Sequence, residues 1–486
     1  MAGLGNRVAV LTVSRLASFG LMFIGPVIVA RLLSAHDFGR YREFLLYGSI
    51  LQSFGAFFIR DSLLYFIPAH PQSPWRVVRQ TTWLTACTSG LTVVLLYVGD
   101  RATGGAIVGE YLYPLIAYTL LSINLDFWEY YWIARQRAAA VFLYSASRLL
   151  ARLLVVAVAA LLTHDVAIII WALVALEAAR LVVSAVVLFA LDKSREEPPV
   201  PNLLRTQLQY CLPTGSASLL SMGSRNLSNV VVANVLGAVA LGRYAIGRFS
   251  EPVVLAVRSS LTAVILSEMV RRDRQAKGPS LVLWKQATIV NLIFLFPFAV
   301  LVARYAEPLV EMLFGERYRA AAPIMQLYML VVVRECFDFS PALRAVNRTQ
   351  PLIASNLISL ITCAAALAVL IPLAGLPGAM LAFVIASFAD ASYLGWRVCK
   401  VYNVSWRDLL PWAALGQTAA AAALASIALL SNVWTETFGV AGILFAGTLY
   451  ALAYVIVLLW MRVPEAELLL NWVLRTIRRK RASWST

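Results

Sequence analysis

Charge is what this chain has least of. Asp, Glu, Lys and Arg together make up only 14% of its 486 residues, against roughly 25% in an ordinary soluble protein. Histidine is almost absent: His36, His70 and His164 stand alone, with no second histidine at metal-ligand spacing. The five cysteines (Cys87, Cys211, Cys336, Cys363 and Cys399) are odd in number and scattered through apolar runs, which excludes a disulfide framework and a paired-cysteine zinc site. No nucleophile elbow or phosphate-binding glycine loop occurs either. Polar stretches run to about 5–16 residues, too short to form a soluble domain. A lipid-linked glycosyltransferase or ligase needs catalytic groups on such a domain or a large external loop. The chain is therefore expected to be no enzyme and to need no metal or cofactor.

What is present is apolar surface. Hydrophobic residues make up 60% of the chain, and the mean hydropathy is +0.76. So little polar surface cannot cover a water-soluble protein of this size, so the solvent is lipid. A spanning helix needs about 20 mostly apolar residues. Suitable segments are 8–33, 41–67, 78–98, 111–134, 139–162, 166–191, 208–236, 244–270, 281–303, 320–345, 352–373, 378–398, 409–430 and 438–460. The first reads as a retained helix, since no small-residue cleavage site precedes Leu33. The expected fold class is an all-α integral membrane protein of about fourteen transmembrane helices.

The excess of 41 Lys+Arg over 25 Asp+Glu leaves a charge of +16. With Met1 inside, 22 of the loop and tail Lys and Arg fall on the cytoplasmic side, including Arg271, Arg272, Arg274 and the Arg475–Arg481 tail; only 7 fall outside. That asymmetry sets orientation and removes any need for a nucleic-acid partner. Both termini are expected in the cytoplasm.

An internal repeat divides the chain. Val27–Tyr41 (VIVARLLSAHDFGRY) and Val230–Tyr244 (VVVANVLGAVALGRY) share eight of fifteen positions, ending in a common Gly-Arg-Tyr. A six-helix unit in parallel repeat is the mark of a two-lobed transporter. The expected organisation is a six-helix lobe over 1–191, a cytoplasmic linker over 192–206 and a second six-helix lobe over 207–400. Residues 401–486 add two helices and a basic tail.

Ionisable groups inside spans are costly, about 2.5–3.5 kcal/mol at the centre of a helix, and normally face a water-filled path or a partner. In the first lobe these are Arg15, Arg60 and Asp61; in the second, Arg225, Arg248, Glu251 and Arg258. Positions 248, 251 and 258 share one face of a continuous helix. The excess of arginine predicts a cationic vestibule suited to phosphate, which guanidinium groups grip bidentately. Glu129 and Glu177 are expected to pair with Arg148, Arg152 or Arg180, and Arg334 with Asp338. Glu335, Asp338 and Asp390 are candidates for coupling to a proton or sodium ion. Glu307–Ala322 reads as an interfacial half-helix and turn.

Three stretches resemble a known family. LLSAHDFGRY (Leu32–Tyr41), EPLVEMLFGERYRAAA (Glu307–Ala322) and RAVNRTQPLIASN (Arg344–Asn356) are similar to junctions of bacterial polysaccharide flippases. These form the polysaccharide-transporter branch of the multidrug/oligosaccharidyl-lipid/polysaccharide exporter superfamily. The resemblance implies two pseudo-symmetric six-helix bundles working by alternating access. It further implies inner-membrane transfer of an undecaprenyl-pyrophosphate-linked oligosaccharide for O-antigen, capsule or exopolysaccharide. The pyrophosphate would then be held by Arg15, Arg60, Arg225, Arg248 and Arg258, and a polysaccharide polymerase would be a partner. Fourteen helices also resemble the lipid II flippases, whose last two helices extend a groove for the polyprenyl tail. A cation-coupled multidrug exporter shares the architecture and is the alternative.

Overall fold

The computed structural model describes residues 24–105, 108–125, 127–135, 137–191, 194, 196–274, 281–429 and 433–462. Every regular element among the described residues is helical. A lipid environment suits this, because helices satisfy each backbone N–H and C=O within the segment. The chain packs as two compact units, Met1–Gly242 and Arg243–Thr486.

The first unit holds α1 (24–32), α2 (Ala35–Ala56), α3 (Leu63–Ala69), α4 (Pro74–Ala102), α5 (Leu112–Ile123) and α6 (Phe127–Ala134). The long helices α7 (Ala138–Thr163), α8 (Val166–Leu191) and α9 (Leu203–Val231) follow. Ser34 starts α2: its Oγ accepts from Asp37 N at 3.0 Å and donates to the Asp37 carboxylate at 2.7 Å. Side chain and backbone thereby satisfy each other at the helix start. An aromatic core of Phe66, Trp75, Phe127, Trp128 and Tyr131 ties α3, α4 and α6 to Leu203 of α9.

The connection from α8 to α9 is strapped down. Glu197 caps the start of α4, its carboxylate accepting from Trp75 N at 3.1 Å and Arg76 N at 2.9 Å. Arg76 Nε returns a bond to the Glu197 carbonyl at 2.8 Å, and Ser73 Oγ donates to Pro198 O at 2.8 Å. An anionic side chain at a helix N-terminus meets both free N–H groups and the positive end of the dipole.

The repeat's shared glycine has a packing reason. A Cβ on Gly39 would lie 2.2 Å from the carbonyl oxygen of Ala238, and one on Gly242 would lie 3.4 Å from Gly39 Cα. The matched glycines cross, and no larger residue fits at position 39 without displacing backbone.

α10 (Ala238–Gly247) runs across the boundary at Gly242, and the second unit continues through α11 (Glu251–Arg274), α12 (Leu281–Arg304) and α13 (Ala306–Phe314). It goes on with α14 (Ala322–Glu335), α15 (Ser340–Ala345), α16 (Gln350–Tyr402), α17 (Trp406–Leu409), α18 (Trp412–Ala425) and α19 (Val433–Trp460). The half-helix and turn expected at 307–322 are α13, Gly315 and a 3-10 segment, Glu316–Ala321. In α18 the buried Ala421, Ala422 and Ala425 let Tyr450 and Tyr454 of α19 and Ile289 and Ile293 of α12 come close. Small residues at such contacts gain close van der Waals packing where lipid gives no hydrophobic drive.

Seven helices among the described residues are long and apolar enough to span a membrane. The fourteen expected segments map onto the elements differently for physical reasons. Segments 41–67, 111–134 and 244–270 are each split by a non-helical stretch. α18 has only 14 residues. Segments 352–373 and 378–398 are the two arms of α16, which breaks at Gly375 (φ 58, ψ −129), between the two expected helices.

Candidate functional site

In the first unit the charged residues cluster at a broken helix. After α2 the chain leaves helical geometry over 57–62, and two bulky residues in succession, Phe57 (φ 38) and Phe58 (φ 61), take left-handed backbone. Such conformations are strained for side chains of this size and persist only where the surroundings impose them. Here α9 imposes them. Leu203, Gln207, Cys211 and Gly215, four residues apart, form its buried stripe. Gly215 leaves room for Phe57, whose ring and carbonyl oxygen would both lie 2.8 Å from an added Cβ. Cys211 Sγ stands 3.9 Å from the Phe58 carbonyl.

Gln207 completes the seat. Fully buried, its Nε2 donates to Ser62 Oγ and to Thr81 Oγ1, both at 2.8 Å, and its Oε1 accepts from Gln80 at 2.8 Å. Arg60 and Asp61 are half-buried within the segment this network holds. Arg225, further along α9, is exposed and makes no ion pair among the described residues. Arg15 lies outside the described residues.

Elsewhere in this unit the expected structural pairs are formed. Arg148 meets Glu129 at 3.0 Å, and Arg180 meets Glu177 one turn away on α8. Arg152 turns to Tyr41, Tyr118 and Glu177.

The second unit carries an ionic network of different character. Arg248 does not share a helix with Glu251 and Arg258, because the chain breaks at 248–250 before α11 begins. It is 8% exposed, lies 2.9 Å from Glu251, and sits 4.4 Å from the centre of the Phe383 ring. Arg258 pairs with Glu335 and stands 3.9 Å from Asp338. Arg334 contacts Glu335 at 2.9 Å, pairs with Asp390, and donates to the Ser387 carbonyl at 2.9 Å. The expected Arg334–Asp338 pair is not the one formed. α14 ends at Glu335, so residues 334 and 338 are not stacked one turn apart. Asp338 instead accepts from Thr262 Oγ1 at 3.1 Å and Ser340 N at 3.0 Å.

These contacts revise the electrostatics. Three arginines (248, 258, 334) face four carboxylates (251, 335, 338, 390). Within this network the carboxylates outnumber the arginines by one, and Arg248 and Arg258, expected to line a cationic vestibule, are each paired with a carboxylate. Nothing in the sequence singles out Gln207 or Thr262. A glutamine beside a linker and a threonine in a helix carry no local signal.

Comparison with known proteins decides the family. A model described as polysaccharide biosynthesis protein matches residues 28–323, more than half of the chain. The protein belongs to this family. No curated protein matches. Among solved structures, the lipid II flippase MurJ in an inward closed conformation aligns with a TM-score of 0.69 at 14% identity, covering 92% of this chain and 98% of its own. An inward-facing multidrug resistance MATE transporter of the MOP superfamily aligns at 0.56, with 14% identity and coverages of 81% and 96%. A point mutant of the Vibrio cholerae MATE transporter VcmN gives 0.51 at 13% identity, with coverages of 82% and 98%. At these identities the likeness carries the fold. This member of the polysaccharide biosynthesis family is a multi-pass membrane protein with a transporter fold.

Proposed function

We propose that the protein is a flippase. It carries undecaprenyl-pyrophosphate-linked oligosaccharide repeat units across the bacterial inner membrane by alternating access, for O-antigen, capsule or exopolysaccharide. Both termini are then cytoplasmic, and a polysaccharide polymerase takes the product. The observation that carries this is Arg225, an exposed guanidinium within a 29-residue helix and without an ion pair among the described residues. Given the expected span over 208–236, a cation held within it needs an anion, and a diphosphate supplies one. Arg60, in the broken segment that α9 seats, is the second diphosphate contact, with Asp61 beside it for sugar hydroxyls; Arg15 is the third. The family match and the lipid II flippase fold support a lipid-linked substrate.

The extra carboxylate of this ionic network suits coupling. With Arg258 and Arg334 set against Glu335, Asp338 and Asp390, the cluster takes up one proton or sodium ion. Arg248 and Glu251, already paired, shape the path more than they grip substrate. The same extra carboxylate favours a second reading, a cation-coupled multidrug exporter.

The test is complementation of a flippase-null strain. Arg15→Ala, Arg60→Ala and Arg225→Ala are expected to abolish surface polysaccharide at normal membrane abundance. Full polysaccharide from all three overturns the diphosphate assignment. Restored drug resistance without polysaccharide supports the exporter.

A further inference from the structure

One end of α16 carries a cluster of residues with no part in transport as proposed. Trp396 is 41% exposed. Lys400 Nζ sits 3.9 Å from the centre of its ring, and the Arg397 guanidinium carbon sits 5.7 Å away. Tyr393, nearly one turn back, brings its ring to 5.9 Å from that of Trp396. The Nε of Arg397 is buried and has no hydrogen-bond acceptor. Arg397 makes no ion pair among the described residues, so the rest of its half-buried guanidinium is open to an anion.

More cations converge on the same end. Leu394 and Val398 share one core with Ala342, Leu343 and Leu409. Tyr402 Oη donates to the Ala342 carbonyl at 3.0 Å, and Arg348 N donates to Leu343 O at 2.9 Å. Arg344 at the end of α15, Arg348 just beyond it and the short α17 bearing Arg407 are thereby held at this end, all three arginines exposed. Residues 344–349 and 396–408 contain five basic side chains and a single acid, Asp408. That carboxylate is already engaged, accepting from Ser405 Oγ at 2.7 Å.

Basic residues around a half-exposed tryptophan at a span's end match the chemistry of a lipid headgroup: phosphate for the cations, the glycerol region for the indole. We propose that this end of α16 binds the headgroup of an anionic phospholipid. The phosphate lies between Arg397 and Lys400, and Trp396 sits at the level of the ester groups. Arg344, Arg348 and Arg407 supply a wider attractive field.

Full-length protein in nanodiscs of phosphatidylcholine, doped with brominated phosphatidylglycerol or brominated phosphatidylcholine, tests this by tryptophan quenching. Because the chain has 13 tryptophans, the site is read as the difference between the protein and Trp396→Phe. Phosphatidylglycerol is expected to quench more than phosphatidylcholine, and the excess to vanish in Trp396→Phe. Apparent affinity falls about fivefold for each cation removed in Arg397→Ala and Lys400→Ala. The charge-keeping pair Arg397→Lys with Lys400→Arg, a safeguard should the alanine variants misfold, retains most of it. Equal quenching by the two lipids, or an excess that survives in Trp396→Phe, overturns the proposal. Displacement of the brominated lipid by farnesyl diphosphate also overturns it, by giving the site to a polyprenyl diphosphate. Loss of transport in the Arg225 variant, with this quenching intact, separates the two assignments.

Discussion

Gly215 and Phe57 meet so closely that a methyl group on Gly215 would stand 2.8 Å from both the ring and the carbonyl oxygen of Phe57. The strained left-handed turn of Phe57–Phe58 is thus held by a groove that only glycine leaves open. Gly215→Ala is expected to destabilise the protein by about 1–3 kcal/mol, the usual range for overpacking. Thermal denaturation in detergent reads the loss. Trimming Phe57 to leucine does not restore it, because the carbonyl oxygen clashes as well.

Removing the amide of Gln207 leaves Ser62, Thr81 and Gln80 without the partners they share. Gln207→Leu is expected to cost about 1–3 kcal/mol, the penalty for stranding buried polar groups. Faster exchange of the backbone amides around Ser62 is the specific sign. Unchanged exchange there, with stability preserved, contradicts the network.

Breaking one partner of the second unit's ionic network should hurt more than removing both. Glu335→Leu leaves Arg258 and Arg334 facing an apolar group and is expected to lose about 3–5 kcal/mol. The double variant Glu335→Leu with Arg258→Met should recover part of that loss. A double-mutant cycle measured by chemical denaturation checks the sign, and strict additivity denies the contact.

The Glu197 cap is expected to contribute about 0.5–2 kcal/mol, as helix caps do. Glu197→Ala should leave the core intact while the amides of Trp75 and Arg76 lose protection. Hydrogen exchange with mass spectrometry separates that local opening from global unfolding.

Much of this molecule is legible from its letters. Apolar length alone places α8 at 166–191. The Glu177–Arg180 pair needs only helical spacing. The breaks at 57–62, 248–250 and 336–339 are not legible, because hydropathy averages over some twenty residues while a break uses only a few. Phenylalanines carry no sign of left-handed backbone. A continuous helix would match Arg334 to Asp338, whereas its actual partner, Asp390, lies 56 residues away. The seat of Phe57 escapes for the same reason: it depends on α9, more than 150 residues further along the chain.

The strap at Glu197 and the bonds of Gln207 bear on how such a gene could be taken apart. The piece that repeats in sequence begins near α9, whereas the piece that packs ends at Gly242. A fragment truncated at the linker would keep Ser62, Thr81 and Phe57 but lose the helix that covers them. Its aggregation would then report a missing lid on one turn, and would not show that the two repeats are unable to fold apart. Truncation after Gly242 leaves that lid in place.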